Sequence, residues 1–92
     1  MTLTKKWRLQ FKDKFNKQYS CLEKKQKQKI IDFFEERVLN HYDPKSLAKP
    51  LYGQLKGYWR FRVGDYRIIA DIQDDVCTIV ALEVGHRRDI YH

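Results

Sequence analysis

The stretch Tyr58-Trp59-Arg60-Phe61-Arg62-Val63-Gly64-Asp65-Tyr66-Arg67-Ile68-Ile69 constrains the fold of this chain most, because it reads as an antiparallel β-hairpin whose turn sets its register. Side chains alternate faces along a strand. Tyr58, Arg60 and Arg62 therefore share one face, and Trp59, Phe61 and Val63 share the other, which has the composition of a core face. Glycine at the first central position supplies the positive φ of a type II′ turn, which makes Gly64-Asp65 the two-residue connection. That register sets Arg62 directly across from Arg67. Like charges opposed in a sheet destabilise it, so a guanidinium pair there points to a bound anion, with phosphate the obvious candidate. Strands over Tyr58–Val63, Tyr66–Gln73 and Val76–Val84, the last two joined by a tight turn at Asp74-Asp75, predict an antiparallel meander.

The remaining segments must cover the apolar face of that meander. Lys6-Trp7-Arg8-Leu9-Gln10-Phe11 alternates polar and apolar residues, which predicts a short first strand with Trp7, Leu9 and Phe11 facing the core. Asp13 is placed to cap a short helix through about Tyr19. Ser20, with Glu23 three residues on, is a capping-box signature for a second helix from about Cys21 to Leu39. Ile30, Ile31, Phe34 and Val38 give this helix an apolar stripe, while Lys24, Lys25, Lys27 and Lys29 sit on solvated faces. Asn40 to Lys56, with Asp43-Pro44, Lys49-Pro50 and Gly53, is expected to be mostly loop. The expected class is α+β, with an N-terminal strand and a two-helix hairpin packed on a mainly antiparallel sheet.

A chain of 92 residues predicts one domain over 1–92, near the lower end of what a single core supports. With 42% apolar and 14% aromatic residues there is material for that core, and the formal charge of +7 directs attention to polyanionic or acidic partners. No apolar run reaches the roughly 20 residues of a membrane span, and no signal-peptide core follows Lys6, so no membrane partner and a cytoplasmic address are expected. Cys21 and Cys77 lack a second Cys or His at metal-ligand spacing. Both are expected to be reduced, with Cys77 a small buried hydrophobe in the third meander strand and Cys21 incidental. Neither a metal nor any other cofactor is expected.

If the helices cover the face of Trp59, Phe61 and Val63, the opposite face presents Arg60, Arg62 and Arg67 beside a tail carrying His86, Arg87, Arg88 and Tyr91. Guanidinium groups donate paired hydrogen bonds to phosphate oxygens and hold their charge at any ordinary pH. Lys56 adds a cation, and Tyr58, Tyr66 and Tyr91 offer ring faces on which unpaired bases stack. The combination points to RNA, bound with an affinity that falls as salt rises. Plainer roles exist for the same residues: Arg67 bonded to a carboxylate such as Asp71 or Glu83, Tyr58 and Tyr66 as packing residues, and His86 as an exposed strand-end residue.

The motifs Lys49-Pro50-Leu51, Gly57 through Ile69, and Val84-Gly85-His86-Arg87-Arg88-Asp89-Ile90-Tyr91 resemble the RelE toxins of toxin–antitoxin pairs, as does the order of strand, helix pair and meander. The resemblance covers nearly the whole chain. It implies a ribosome-dependent mRNA endonuclease that cuts in the ribosomal A site, by metal-independent attack of a ribose 2′-OH on the adjacent phosphate. It also implies a cognate antitoxin, expected to use an acidic or amphipathic helical segment. The family's catalytic positions fall on Arg60, Arg62, Arg67, Arg87 and Tyr91; Lys56, Tyr58 and Arg88 are expected to contact RNA. Where the family carries strand lysines this chain has Arg60 and Arg62, and a guanidinium, which keeps its proton at any ordinary pH, is a poor proton acceptor. His86 is the best substitute base on chemical grounds, with Glu83 or Lys56 behind it. Two other readings stand beside this one: a ParE-like inhibitor of DNA gyrase, and a catalytically silent module that binds RNA or antitoxin.

Overall fold

A computed structural model describes residues 6–86. Arg87, Arg88 and Tyr91 lie outside the described residues. The sheet has five strands: β1 (Arg8–Phe11), β2 (Lys49–Pro50), β3 (Trp59–Val63), β4 (Tyr66–Gln73) and β5 (Thr78–His86). Their order is β1-β5-β4-β3-β2, antiparallel throughout except where β1 runs parallel to β5. Two helices, α1 (Asp13–Ser20) and α2 (Lys24–Phe33), pack on one face, and α2 continues as a π-helical turn over Phe34–Val38. This is the expected α+β arrangement.

The hairpin has the register its turn demands, pairing Arg62 with Arg67 and Val63 with Tyr66. Gly64 takes φ +60°, while Asp65 is not among the positive-φ residues, the combination a type II′ turn needs. Phe61, Ile68, Val84, Ala81 and Ile79 point to the helices, where Phe15, Ile30, Phe34 and Val38 meet them in one buried cluster. The rings of Phe33, Phe34 and Phe61 pack edge to face at centroid distances of 5.4 to 5.9 Å.

The helices differ from expectation at their ends. Asp13 is the first residue of α1 and not its cap; its charge lies in the first turn, where the helix dipole favours it. The predicted capping box does not form. Ser20 Oγ donates to the Lys17 carbonyl instead, and Glu23 is the N-cap of α2 without a side-chain bond. The second helix therefore starts later than predicted, at Lys24. Its last turn widens, with Leu39 N donating to the Phe34 carbonyl at 2.8 Å and Asn40 Nδ2 to that of Glu35.

The segment expected to be loop contains 3₁₀ turns at Pro44–Leu47 and Gly53–Leu55 and the edge strand β2. A two-residue strand carries too little alternation to be read from sequence, and Pro50 is tolerated because β2 is an edge. The second reversal of the meander is also longer than predicted. Asp74–Val76 form a 3₁₀ turn and Cys77 closes it in a left-handed conformation, φ 46° and ψ 50°, so Cys77 is a turn residue and not a strand one. β5 starts at Thr78 and runs to His86, two residues past the predicted end.

Candidate nucleic-acid interface

The sheet face turned away from the helices carries two rows of cations across its strands. In the first row Lys49 of β2 pairs with Arg60 of β3, and Arg60 in turn with Ile69 of β4. In the second, Arg62 pairs with Arg67, and Arg67 with Gly85 of β5. Opposed residues in such pairs have Cβ atoms about 5 Å apart, and residues two apart along a strand are separated by about 7 Å. Ile69 and Val80, both buried, supply an apolar floor on β4 and β5.

The paired arginines are not equivalent. Arg62 is exposed, and its Nε donates back to the Gly64 carbonyl at 3.3 Å, which folds the side chain over the turn. Arg67 is only 7% exposed, with Nε and Nη1 sealed from solvent. Of the two carboxylates named for it from sequence, Glu83 pairs with Lys14 Nζ at 3.1 Å and Asp71 accepts from Gln73 Nε2 at 2.9 Å.

Arg60 and Arg62 line a cleft of about 250 Å³ closed on its other side by Ser46, Leu47, Ala48 and Lys49. The wall of that cleft is anchored from behind. Lys45 makes an ion pair with Asp74 at the far end of β4, and its Nζ lies 5.5 Å from the centroid of the Trp59 ring. Lys49 belongs to a motif noted in the sequence but was not among the candidate site residues there, because the edge strand that places it opposite Arg60 was itself invisible.

Lys56 is exposed at the end of the second 3₁₀ turn, and Tyr58, 37% exposed, accepts a backbone hydrogen bond from Leu51 N at 3.0 Å as it enters β3. Tyr52 stands well exposed beside them. Tyr66 leaves this group: it packs against the core on the helix face.

His86 is separated from the arginines. It pairs with Tyr66 across β4 and β5, and the two rings meet edge to face at 5.7 Å on the helix side of the sheet, beside Gln18, Cys21 and Leu22. The alternation of β5 is the reason, since Val84 is a core residue and His86, two positions on, shares its face. The signal was present in the sequence once Val84 was assigned to the core. Where β1 stops, Gln18 Oε1 accepts from Val84 N at 2.8 Å and covers the exposed edge of β5.

A small α+β fold with helices on one face of the sheet and rows of cations on the other defines a class with known members. Residues 6–91 match the family model described as the ParE toxin of the type II toxin–antitoxin system, parDE. The chain belongs to that family, within the RelE/ParE superfamily of toxins, and its fold is that of RelE. It is 43% identical over 49 residues to Toxin RelG of Mycobacterium tuberculosis, a match covering 53% of this chain and 56% of RelG, so the aligned part spans little more than half of that relative. Its fold is similar to the toxin–antitoxin complex RelBE2 of Mycobacterium tuberculosis, with TM-score 0.80 and 26% identity over 89% of this chain and 92% of that one. The RelB–RelE antitoxin–toxin complex of Methanococcus jannaschii is similar at TM-score 0.64 and 27% identity, covering 89% and 94%. Among the described residues no helix is long and apolar enough to cross a membrane.

Proposed function

We propose that this toxin is a ribosome-dependent mRNA endonuclease that inhibits translation by cutting message in the A site. The observation carrying the proposal is the pairing of Arg62 with Arg67, two residues along β3 from Arg60, on one face of the sheet. Attack of a 2′-OH on its own phosphate builds negative charge on the phosphorane oxygens, and preorganised cations at that charge are the largest single contribution a protein makes to such a step. Arg67, held rigid by burial, would grip the scissile phosphate. Arg60 and Arg62 would neutralise the charge developing around it, while Arg87 would stabilise the leaving oxygen and Tyr91 would sit against the nucleotide.

No metal enters this scheme. The 2′-OH lies beside the phosphate it attacks, so its proton is taken up on the arginine face, and His86, on the helix side of the sheet, is out of reach of that point. Lys56, Tyr58 and Arg88 would hold the flanking message. A cognate antitoxin with an acidic or amphipathic helix would neutralise the same basic face, as antitoxins accompany toxins in the two complexes named above.

The test is a translation reaction with purified ribosomes and a defined message, read by primer extension. Codon-centred cuts that disappear in Arg67→Ala and Arg87→Ala are expected, and intact message with the wild-type toxin would sink the proposal. Because the matching family model is named for ParE, a second reading is inhibition of DNA gyrase. Accumulation of gyrase-cleaved DNA on expression, with message intact, would establish it.

A further inference from the structure

We propose that the cleft between β2 and β3 is a second phosphate subsite, in which Lys49 joins Arg60 to hold the phosphodiester next to the one gripped at Arg62 and Arg67. The inference rests on the nuclease reading for the identity of the neighbouring phosphate, but the binding it describes is independent of cleavage. Three observations carry it. Lys49 stands directly opposite Arg60 in the β2–β3 pairing, which adds a second like-charge pair to the one already present on this face. The residues lining the cleft are Ser46, Leu47, Ala48, Lys49, Arg60 and Arg62, so three cations border it, and among the described residues no carboxylate does. The Lys49–Arg60 and Arg62–Arg67 rows lie two residues apart along β3, about 7 Å, close to the spacing of consecutive phosphates in an extended single strand.

The ligand class follows from this geometry. Two cationic rows at a regular interval track a backbone that carries one charge per repeat, and guanidinium forks match phosphate oxygens in pairs. Tyr52 and Tyr58, joined to the cleft through the backbone bond from Leu51 to Tyr58, offer exposed rings for the bases attached to that backbone. The anchoring of Lys45 by Asp74 and Trp59 keeps the cleft wall in place before a ligand arrives.

The experiment measures binding of a short single-stranded RNA whose riboses carry 2′-O-methyl groups and so cannot be cut, across a series of salt concentrations. Losing one phosphate contact lowers the slope of log affinity against log salt by about 0.7 for single strands. Lys49→Met should show that loss, and Lys49→Arg should restore the wild-type slope. Lys24→Met, which removes an exposed charge from α2, should leave the slope unchanged. An unchanged slope in Lys49→Met overturns the subsite, as does an equal drop in Lys24→Met, which would reduce the effect to net charge. If a decaglutamate peptide responds to Lys49→Met while the RNA does not, the cleft belongs to an acidic protein partner and the proposal fails. Cleavage of message with normal RNA binding by Lys49→Met would overturn the subsite and leave the nuclease standing; loss of slope in Lys49→Met beside a wild-type toxin that leaves message intact would do the reverse.

Discussion

Arg62 and Arg67 occupy directly opposed positions of the β3–β4 hairpin, yet one is solvent-exposed and the other is 7% exposed. Like charges directly opposed in a sheet are unfavourable on their own. On the nuclease reading proposed above, the pair supplies a cation fixed by burial beside an exposed one.

Arg62→Gln separates those two effects. Removing one member of a directly opposed like-charge pair should stabilise the domain by about 0.2–1 kcal/mol, with the gain shrinking as salt screens the pair. Cleavage of ribosome-bound message should fall by about 10²-fold, the order expected for loss of one charge-stabilising donor. Urea denaturation at low and high salt, beside the translation assay, checks both halves. A variant that is less stable and fully active would show that Arg62 serves the fold.

Lys45→Met tests whether the cleft wall is preorganised. The lysine contributes a partly exposed ion pair with Asp74 and a contact with the Trp59 ring, together about 1 kcal/mol. A fall in thermal midpoint of a few degrees is expected, with RNA affinity reduced but its salt slope preserved, since Lys45 is an anchor and not a phosphate contact. A slope change equal to that of Lys49→Met would assign Lys45 to the ligand.

The parts of this fold legible in the sequence were those in which many residues repeat one instruction. Alternation over Trp59–Val63 and Tyr66–Gln73, punctuated by Gly64, set strand, face and register together, and Arg62 opposite Arg67 followed. Where one or two residues decide, the reading failed. β2 has two residues and no period, so Lys49 and the cleft stayed hidden within an expected loop. The reversal after Gln73 needed a left-handed residue, and nothing about Cys77 announces that it takes the position. Ser20 and Glu23 have the right spacing for a capping box, but Ser20 found a nearer acceptor in the Lys17 carbonyl. His86 was misplaced by ending the last strand two residues early, after which alternation no longer applied to it.

Gly64→Ala probes the turn on which the arginine register depends. A Cβ there meets nothing within 4 Å, so its cost is backbone strain at φ +60°, about 1–2 kcal/mol for an L-residue held in a left-handed conformation. Stability should fall by that amount while RNA binding at saturating protein stays near wild type. A loss of binding well beyond the loss of folded protein would show that the turn has rearranged and moved Arg62 off its partner.

Tyr19 gives a pH-dependent prediction remote from the basic face. Its hydroxyl donates to the Lys27 carbonyl at 3.0 Å and ties α1 to α2, and burial pushes the phenol above its ordinary value of 10.0. Below pH 10 the phenol is protonated in both folded and unfolded chains, and its contribution is fully present. As pH rises past 10 the unfolded chain releases its proton first, so stability declines until the folded phenol also ionises. Tyr19→Phe should lose about 1 kcal/mol at neutral pH through the missing hydrogen bond. It should also show a shallower alkaline decline than wild type, other tyrosines contributing equally to both proteins. Urea midpoints at pH 7 and above pH 10 compare the two directly, and parallel declines would show that the α1–α2 contact does not depend on a neutral Tyr19.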